Sequence, residues 1–115
     1  MTMEKPMKEG EEHQSLRIGV PREVANEERR VAIAPSGVSA LVGGGHDVFV
    51  EEGAGRQAHF QDNEYEESGA ELVDDPGDLY ERSDLVVKVG PPDEDEMDLL
   101  QEGQILISAL NLGGT

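Results

Sequence analysis

Two adjacent guanidinium groups, Arg29 and Arg30, lie in the run Ile18-Gly19-Val20-Pro21-Arg22-Glu23-Val24-Ala25-Asn26-Glu27-Glu28-Arg29-Arg30-Val31-Ala32. A short apolar strand ends at Pro21, a loop comes next, and the arginines stand just before the following apolar run. Arginine presents a rigid fork of N–H donors that matches a carboxylate. A loop at the carboxyl end of a parallel strand is where open α/β sheets place their ligands. The pattern reads either as an anion-recognition loop or as arginines that neutralise nearby Asp and Glu.

Two further residues could share such a crevice. Lys88 interrupts the apolar run Asp84 to Val89. A lysine there must snorkel to the sheet edge or find an anionic partner, because a buried unpaired ammonium is costly. Its functional reading is an anion or substrate contact. Asn111 comes just past the last predicted strand, where it either hydrogen-bonds a ligand or serves as a turn residue. The segment Gly53-Ala54-Gly55-Arg56-Gln57-Ala58 comes after a strand but lacks the third glycine of a dinucleotide loop. No apolar helical period succeeds it, so it reads as a turn. His13, His46 and His59 stand apart from one another, without metal-ligand spacing, and read as exposed structural residues. No metal is expected.

These residues need elements to hold them. Arg17 to Val20 reads as a first strand, closed by Pro21, which cannot donate to a ladder. Val31 to Ala34 is a short extended segment. Pro35 opens a helix through about Val42, with Val38, Leu41 and Val42 on its apolar face and three glycines at its end. Asp47 to Glu51 alternates as a second strand. Asp62 or Asn63 is the expected cap of a helix over Glu64 to Ser68. A short strand over Glu71 to Val73 leads to a helix over Gly77 to Arg82, with Pro76 near the helix start. Asp84 to Val89 reads as a strand covered on both faces, ended by Pro91-Pro92. A helix over Asp93 to Gln101, acidic in its first turn, precedes a last strand, Ile105 to Leu110. Strands alternating with helices predict right-handed crossovers and a single α/β domain of Rossmann-like (flavodoxin-like) type, a doubly wound, mainly parallel sheet.

Composition sets limits on partners. Of 115 residues, 26 are Asp or Glu and 9 are Lys or Arg, a formal charge of −17, which argues against a general nucleic-acid binder. Aromatics make up only 3%, so the core must come from Val, Leu, Ile and Ala. No apolar run approaches the ~18 residues of a membrane helix. Residues 1–16 read as a disordered acidic tail without the apolar centre of a signal peptide, which leads to the expectation of a cytoplasmic chain. Residues 17–115 form the domain.

Several blocks in one order carry a resemblance. Ile18-Gly19-Val20-Pro21-Arg22-Glu23 with Asn26 to Pro35, then Gly45-His46-Asp47-Val48, Glu51-Glu52-Gly53-Ala54-Gly55, Tyr65 to Glu71, Asp84 to Val89 and Glu102 to Leu106, resemble the opening of alanine dehydrogenases and of the α subunit of NAD(P) transhydrogenases. The resemblance covers about residues 17–112. It implies an N-terminal domain that packs on a separate NAD-binding domain, with hydride transfer in the cleft between them. In alanine dehydrogenases the arginine matching Arg30 grips the substrate carboxylate.

Two departures bear on activity. The family lysine that assists substrate binding falls at Gly90, not Lys88, and the family acid–base histidine falls at Asn111. Glycine has no ammonium, and a neutral amide cannot shuttle a proton as imidazole does. Both suit a transhydrogenase, which passes hydride between two nicotinamides and needs no amino-acid site. The chain also stops before the family's glycine-rich NAD loop, so it reads as a piece of a longer α subunit or as a short inactive relative. The expectation is therefore the N-terminal domain of a transhydrogenase α subunit, with no catalytic residue of its own. NAD and NADP would be bound mainly outside this chain. The implied partners are an NAD-binding second domain, a transhydrogenase β subunit at the inner membrane and a second copy as homodimer. The alternatives are an alanine dehydrogenase fragment with an altered site and a non-catalytic scaffold domain.

The dispersed carboxylates also resemble the surfaces of proteins from high-salt cytoplasm, where screening shortens self-repulsion to ~3 Å at 1 M salt. The alternative is an acidic domain with a basic partner. The halophilic reading predicts a higher melting temperature in about 1 M KCl than in dilute buffer. Greater stability in dilute buffer would refute it.

Overall fold

Alternation along the first strand sorts its side chains onto two covered faces, and the rest of the domain is arranged around that division. The computed structural model describes residues 15–24 and 28–108. Strand β1 (Arg17–Val20) leads through a long loop to helix α1 (Pro35–Gly43) and strand β2 (Asp47–Glu51). A single 3-10 turn (Arg56–Ala58) precedes α2 (Asp62–Glu67) and β3 (Glu71–Val73). Then come α3 (Pro76–Arg82), β4 (Leu85–Lys88), α4 (Glu94–Leu99) and β5 (Ile105–Ser108).

The five strands lie in the order β3-β2-β1-β4-β5, and every pair is parallel. This is the doubly wound, Rossmann-like sheet. Its order obeys the Rossmann rule, not the flavodoxin order 2-1-3-4-5, because β3 adds outside β2 and the chain then crosses back to the free side of β1.

Ile18, Val20, Val48 and Val50 point to one face, where α1 contributes Val38 and α2 contributes Tyr65. Phe49, Val73 and Val86 point to the other, against Leu79 and Tyr80 of α3. Each such side chain, fully buried, contributes about 1.5–3 kcal/mol of transfer free energy. Gly19 sits where β1 meets α3: a Cβ there would stand 3.2 Å from Leu79 Cδ2 and collide with Ser83. The absent side chain lets the helix approach the central strand.

Local chemistry places the helices. Pro76 begins α3 and Asp75 caps it, accepting from Asp78 N at 3.0 Å. Asp93 and Glu96 cap α4 reciprocally: Asp93 Oδ1 accepts from Glu96 N at 2.8 Å and Glu96 Oε1 accepts from Asp93 N at 3.1 Å. The cap of α2 differs from the sequence expectation. Neither Asp62 nor Asn63 holds that place; Gln61 does, with its N–H donating to Glu64 Oε2 at 2.9 Å. Asp62 is diverted because its carboxylate accepts from Gly53 N at 2.9 Å and braces the loop after β2.

The remaining differences are at element ends. β4 spans Leu85–Lys88 and α4 spans Glu94–Leu99, each shorter than expected by one or two residues at each end. Val31 to Ile33 packs on the core outside the sheet. His46 is half-buried, and its Nδ1 accepts from Leu16 N at 3.0 Å, tying the entry of β1 to the turn before β2.

Candidate functional site

At the carboxyl ends of β1 and β4 the chain leaves toward opposite faces of the sheet, to α1 on one side and α4 on the other. Neighbouring strands that part in this way open a crevice. Here it is a cavity of about 420 Å³ whose walls include Arg22, Glu23, Glu28, Arg30, Glu51 and Arg56.

Beneath it lies a buried ion network. Lys88 is 0% exposed, with Nζ 3.1 Å from Glu96 Oε2 and 3.4 Å from Glu23 Oε1. Glu23 also accepts from Val89 N at 2.8 Å and from Gly90 N at 3.0 Å. The Tyr80 hydroxyl donates to Glu96 Oε2 at 3.5 Å. Burial, together with the Glu96 charge, raises the Tyr80 hydroxyl well above its ordinary pKa, so it stays a donor. Among the described residues no buried side-chain polar atom lacks a partner.

The candidate residues occupy different places. Arg30 lines the cavity with its side chain 64% exposed. Its fork is engaged by Glu28, with Nε 2.9 Å from Oε2 and Nη2 3.1 Å from Oε1. That bidentate contact holds the Glu28 carboxyl below its ordinary pKa. Arg30 thus neutralises a local carboxylate and still presents its outer N–H groups to the crevice. Arg29 is exposed and does not line the cavity. Lys88 faces the α3 and α4 side, with the carboxylates of Glu23 and Glu96 as its anionic partners. Asn111 lies outside the described residues.

Sequence reasoning passed over the carboxylates that shape this floor. Glu51 ends β2, buried, with Oε1 accepting from Arg22 N at 2.9 Å. Burial raises its carboxyl above the ordinary value, and the Arg22 N–H opposes this only in part. An apolar strand carrying Lys88 signalled that some anion must be near. Its identity depends on crossings that bring Glu23 and Glu96 in from 65 and 8 residues away.

Neither segment that could cradle a dinucleotide near the crevice fits one. β1 runs into Pro21, which is buried, and then into Arg22 and Glu23, in place of a glycine-rich turn. At Gly55 a Cβ would stand 2.7 Å from Tyr65 Cε2 and 2.9 Å from Phe60 Cβ, so that glycine makes room for ring packing. The element after Gly55 is one 3-10 turn, too short to present a helix terminus to a pyrophosphate. Among the described residues no group of three His, Asp or Glu is placed to hold a metal ion.

A family model for the N-terminal domain of alanine dehydrogenase and PNT matches residues 19–115. The chain belongs to this family. Within it, the chain is 43% identical over 95 residues to an alanine dehydrogenase of Methanococcus maripaludis, covering 83% of this chain and 26% of that protein. It is 44% identical over 97 residues to alanine dehydrogenase 2 of Staphylococcus aureus, covering 84% and 26%. A solved L-alanine dehydrogenase superposes with a TM-score of 0.76 at 45% identity, over 79% of this chain and 25% of that one. A transhydrogenase from Sinorhizobium meliloti superposes with a TM-score of 0.75 at 32% identity, over 80% and 27%. The chain thus spans about a quarter of the length of these family members.

Two outcomes test the floor of the site. Lys88→Met leaves two buried carboxylates without their cation and lowers stability by about 3–5 kcal/mol in urea unfolding at neutral pH. Adding Glu23→Gln and Glu96→Gln recovers part of the loss, and an unchanged midpoint for the single variant would contradict the network. Glu51 behaves in the opposite sense. Its folded carboxyl titrates above the unfolded one, so its favourable contribution is complete below the unfolded value of 4.5 and is lost as pH rises through the folded value. Glu51→Gln keeps an acceptor for Arg22 N without the charge. Its unfolding midpoint therefore gains on the parent between about pH 4 and pH 8; a constant offset would show that burial is not the cause.

Proposed function

We propose that this domain forms the substrate-side wall of a hydride-transfer cleft in an NAD(H)-linked oxidoreductase of alanine dehydrogenase type. The observation that carries the reading is the crevice at the β1/β4 switch point, with Arg30 on its wall. The identities of 43–45% to alanine dehydrogenases, against 32% to the transhydrogenase, favour this branch of the family. Arg30 would hold a substrate carboxylate through the N–H groups that Glu28 leaves unengaged. The nicotinamide cofactor would be held by a second domain, since neither candidate segment here fits a dinucleotide.

The transhydrogenase α subunit is the second reading, favoured by two residues. Gly90 offers no ammonium, and its N–H is engaged by Glu23. Asn111 offers no imidazole. On that reading the cleft aligns NAD(H) with NADP(H), and the partners are a proton-translocating β subunit and a second α subunit, at the cytoplasmic side of a membrane.

The Arg30→Ala change in the complete protein separates the two. On the first reading KM for pyruvate in NADH oxidation with ammonium rises at least about tenfold, with a smaller change in kcat. On the second, pyruvate is not reduced, and hydride passes from NADH to an NADP analogue. Pyruvate reduction with an unchanged KM would overturn the role given to Arg30.

A further inference from the structure

In a chain with 26 acids and 9 bases, two cations without an ion-paired carboxylate line this one cavity. Arg17, Arg30, Arg82 and Lys88 each hold a carboxylate oxygen at 3.1 Å or closer. Among the described residues, Arg22, Arg29 and Arg56 are in no ion pair, and of these Arg22 and Arg56 line the cavity. Arg22 lies just after β1 and Arg56 opens the 3-10 turn after β2, yet both side chains cross the same glycine. A Cβ built on Gly53 would stand 3.4 Å from Arg56 Nη2 and 3.7 Å from Arg22 Cδ. Gly53 itself has φ of +82°, a conformation that keeps this position free of a side chain beneath them.

The carboxylates on the same wall are already committed. Glu28 holds the Arg30 fork, while Glu23 and Glu96 hold Lys88. Glu51 accepts from the Arg22 backbone, and burial favours its uncharged form. Neither guanidinium is ion-paired with these carboxylates, and Arg22 reaches Glu51 only as a charge at longer range.

We propose that Arg22 and Arg56 form a subsite for a doubly charged oxyanion, a phosphate group, at the mouth of the cavity and separate from Arg30. A single fork satisfies both oxygens of a carboxylate. Two forks on one cavity wall repel each other, and a dianion with three or more peripheral oxygens offsets that repulsion while accepting from both. The subsite stands whether or not the cleft transfers hydride, and its test needs no turnover.

The probe is inorganic phosphate, titrated into the protein at constant ionic strength while the arginine Nε–Hε NMR signals are monitored. Phosphate should move the Arg22 and Arg56 signals along one saturable curve, binding at least about tenfold tighter than acetate. Arg22→Gln and Arg56→Gln, both at exposed positions, should each weaken phosphate by about tenfold with unchanged melting, and Arg30→Gln should not. Adenosine monophosphate binding tighter than phosphate would assign the subsite to a phosphoester; equal or weaker binding would assign it to the free ion. Acetate matching phosphate, shifts confined to Arg30, or full affinity in Arg56→Gln would each overturn the proposal.

Discussion

The buried contact between Lys88 and the two carboxylates of Glu23 and Glu96 is the constraint on which the crevice depends. It joins three pieces of chain that the parallel topology brings together at one end of the sheet: the exit of β1, the last residue of β4 and the first turn of α4. Desolvating one ammonium and two carboxylates is expensive, and the arrangement persists because backbone N–H groups share the load. Glu23 takes Val89 N and Gly90 N, and Glu96 takes Asp93 N and the Tyr80 hydroxyl. The loops after β1 and β4 are therefore fixed to each other by charge, where a glycine-rich turn would have left them free to cradle a phosphate chain.

The same contact explains what could be read from residue order and what could not. Strand and helix positions were legible because apolar period, proline starts and glycine stops agree locally with the final fold. The cap of α2 was not, because Asp62 is chemically as good a cap as Gln61 and is withdrawn from that role by a bond to Gly53 nine residues away. The arginine pair after a parallel strand was legible as a candidate for this end of the sheet, and the resemblance singled out Arg30, which lines the cavity. Arg56 was not, because nothing in the run Gly53-Ala54-Gly55-Arg56 tells that its side chain crosses the loop from β1. Lys88 announced a need for an anion. Which anion answers depends on sequence separations that local pattern does not encode.

Acidity acts differently at the surface and in this site. Over most of the domain the excess carboxylates face water and interact weakly. At the crevice each nearby carboxylate has a donor, and burial makes Glu51 reluctant to ionise. The local field is thus set by which charges are engaged, not by the count. An anion approaching a protein of charge −17 meets long-range repulsion that salt removes, and then a wall with two arginines to spare.

Position 90 brings these lines together. Its N–H is held by Glu23, whose side chain lines the cavity, and a Cβ there would meet only Glu23 Oε1, at 3.5 Å. The position has space for a side chain, but the carboxylate beside it is already held by Lys88. Lys88, two residues earlier in the same strand exit, already meets that Glu23 oxygen at 3.4 Å and is consumed in holding the floor together. Positive charge on the cavity wall is supplied instead by Arg22, Arg30 and Arg56, from the loops after β1 and β2. On the proposed reading, a substrate at this wall would be gripped from the β1–β2 side, whose loops carry the cavity's arginines.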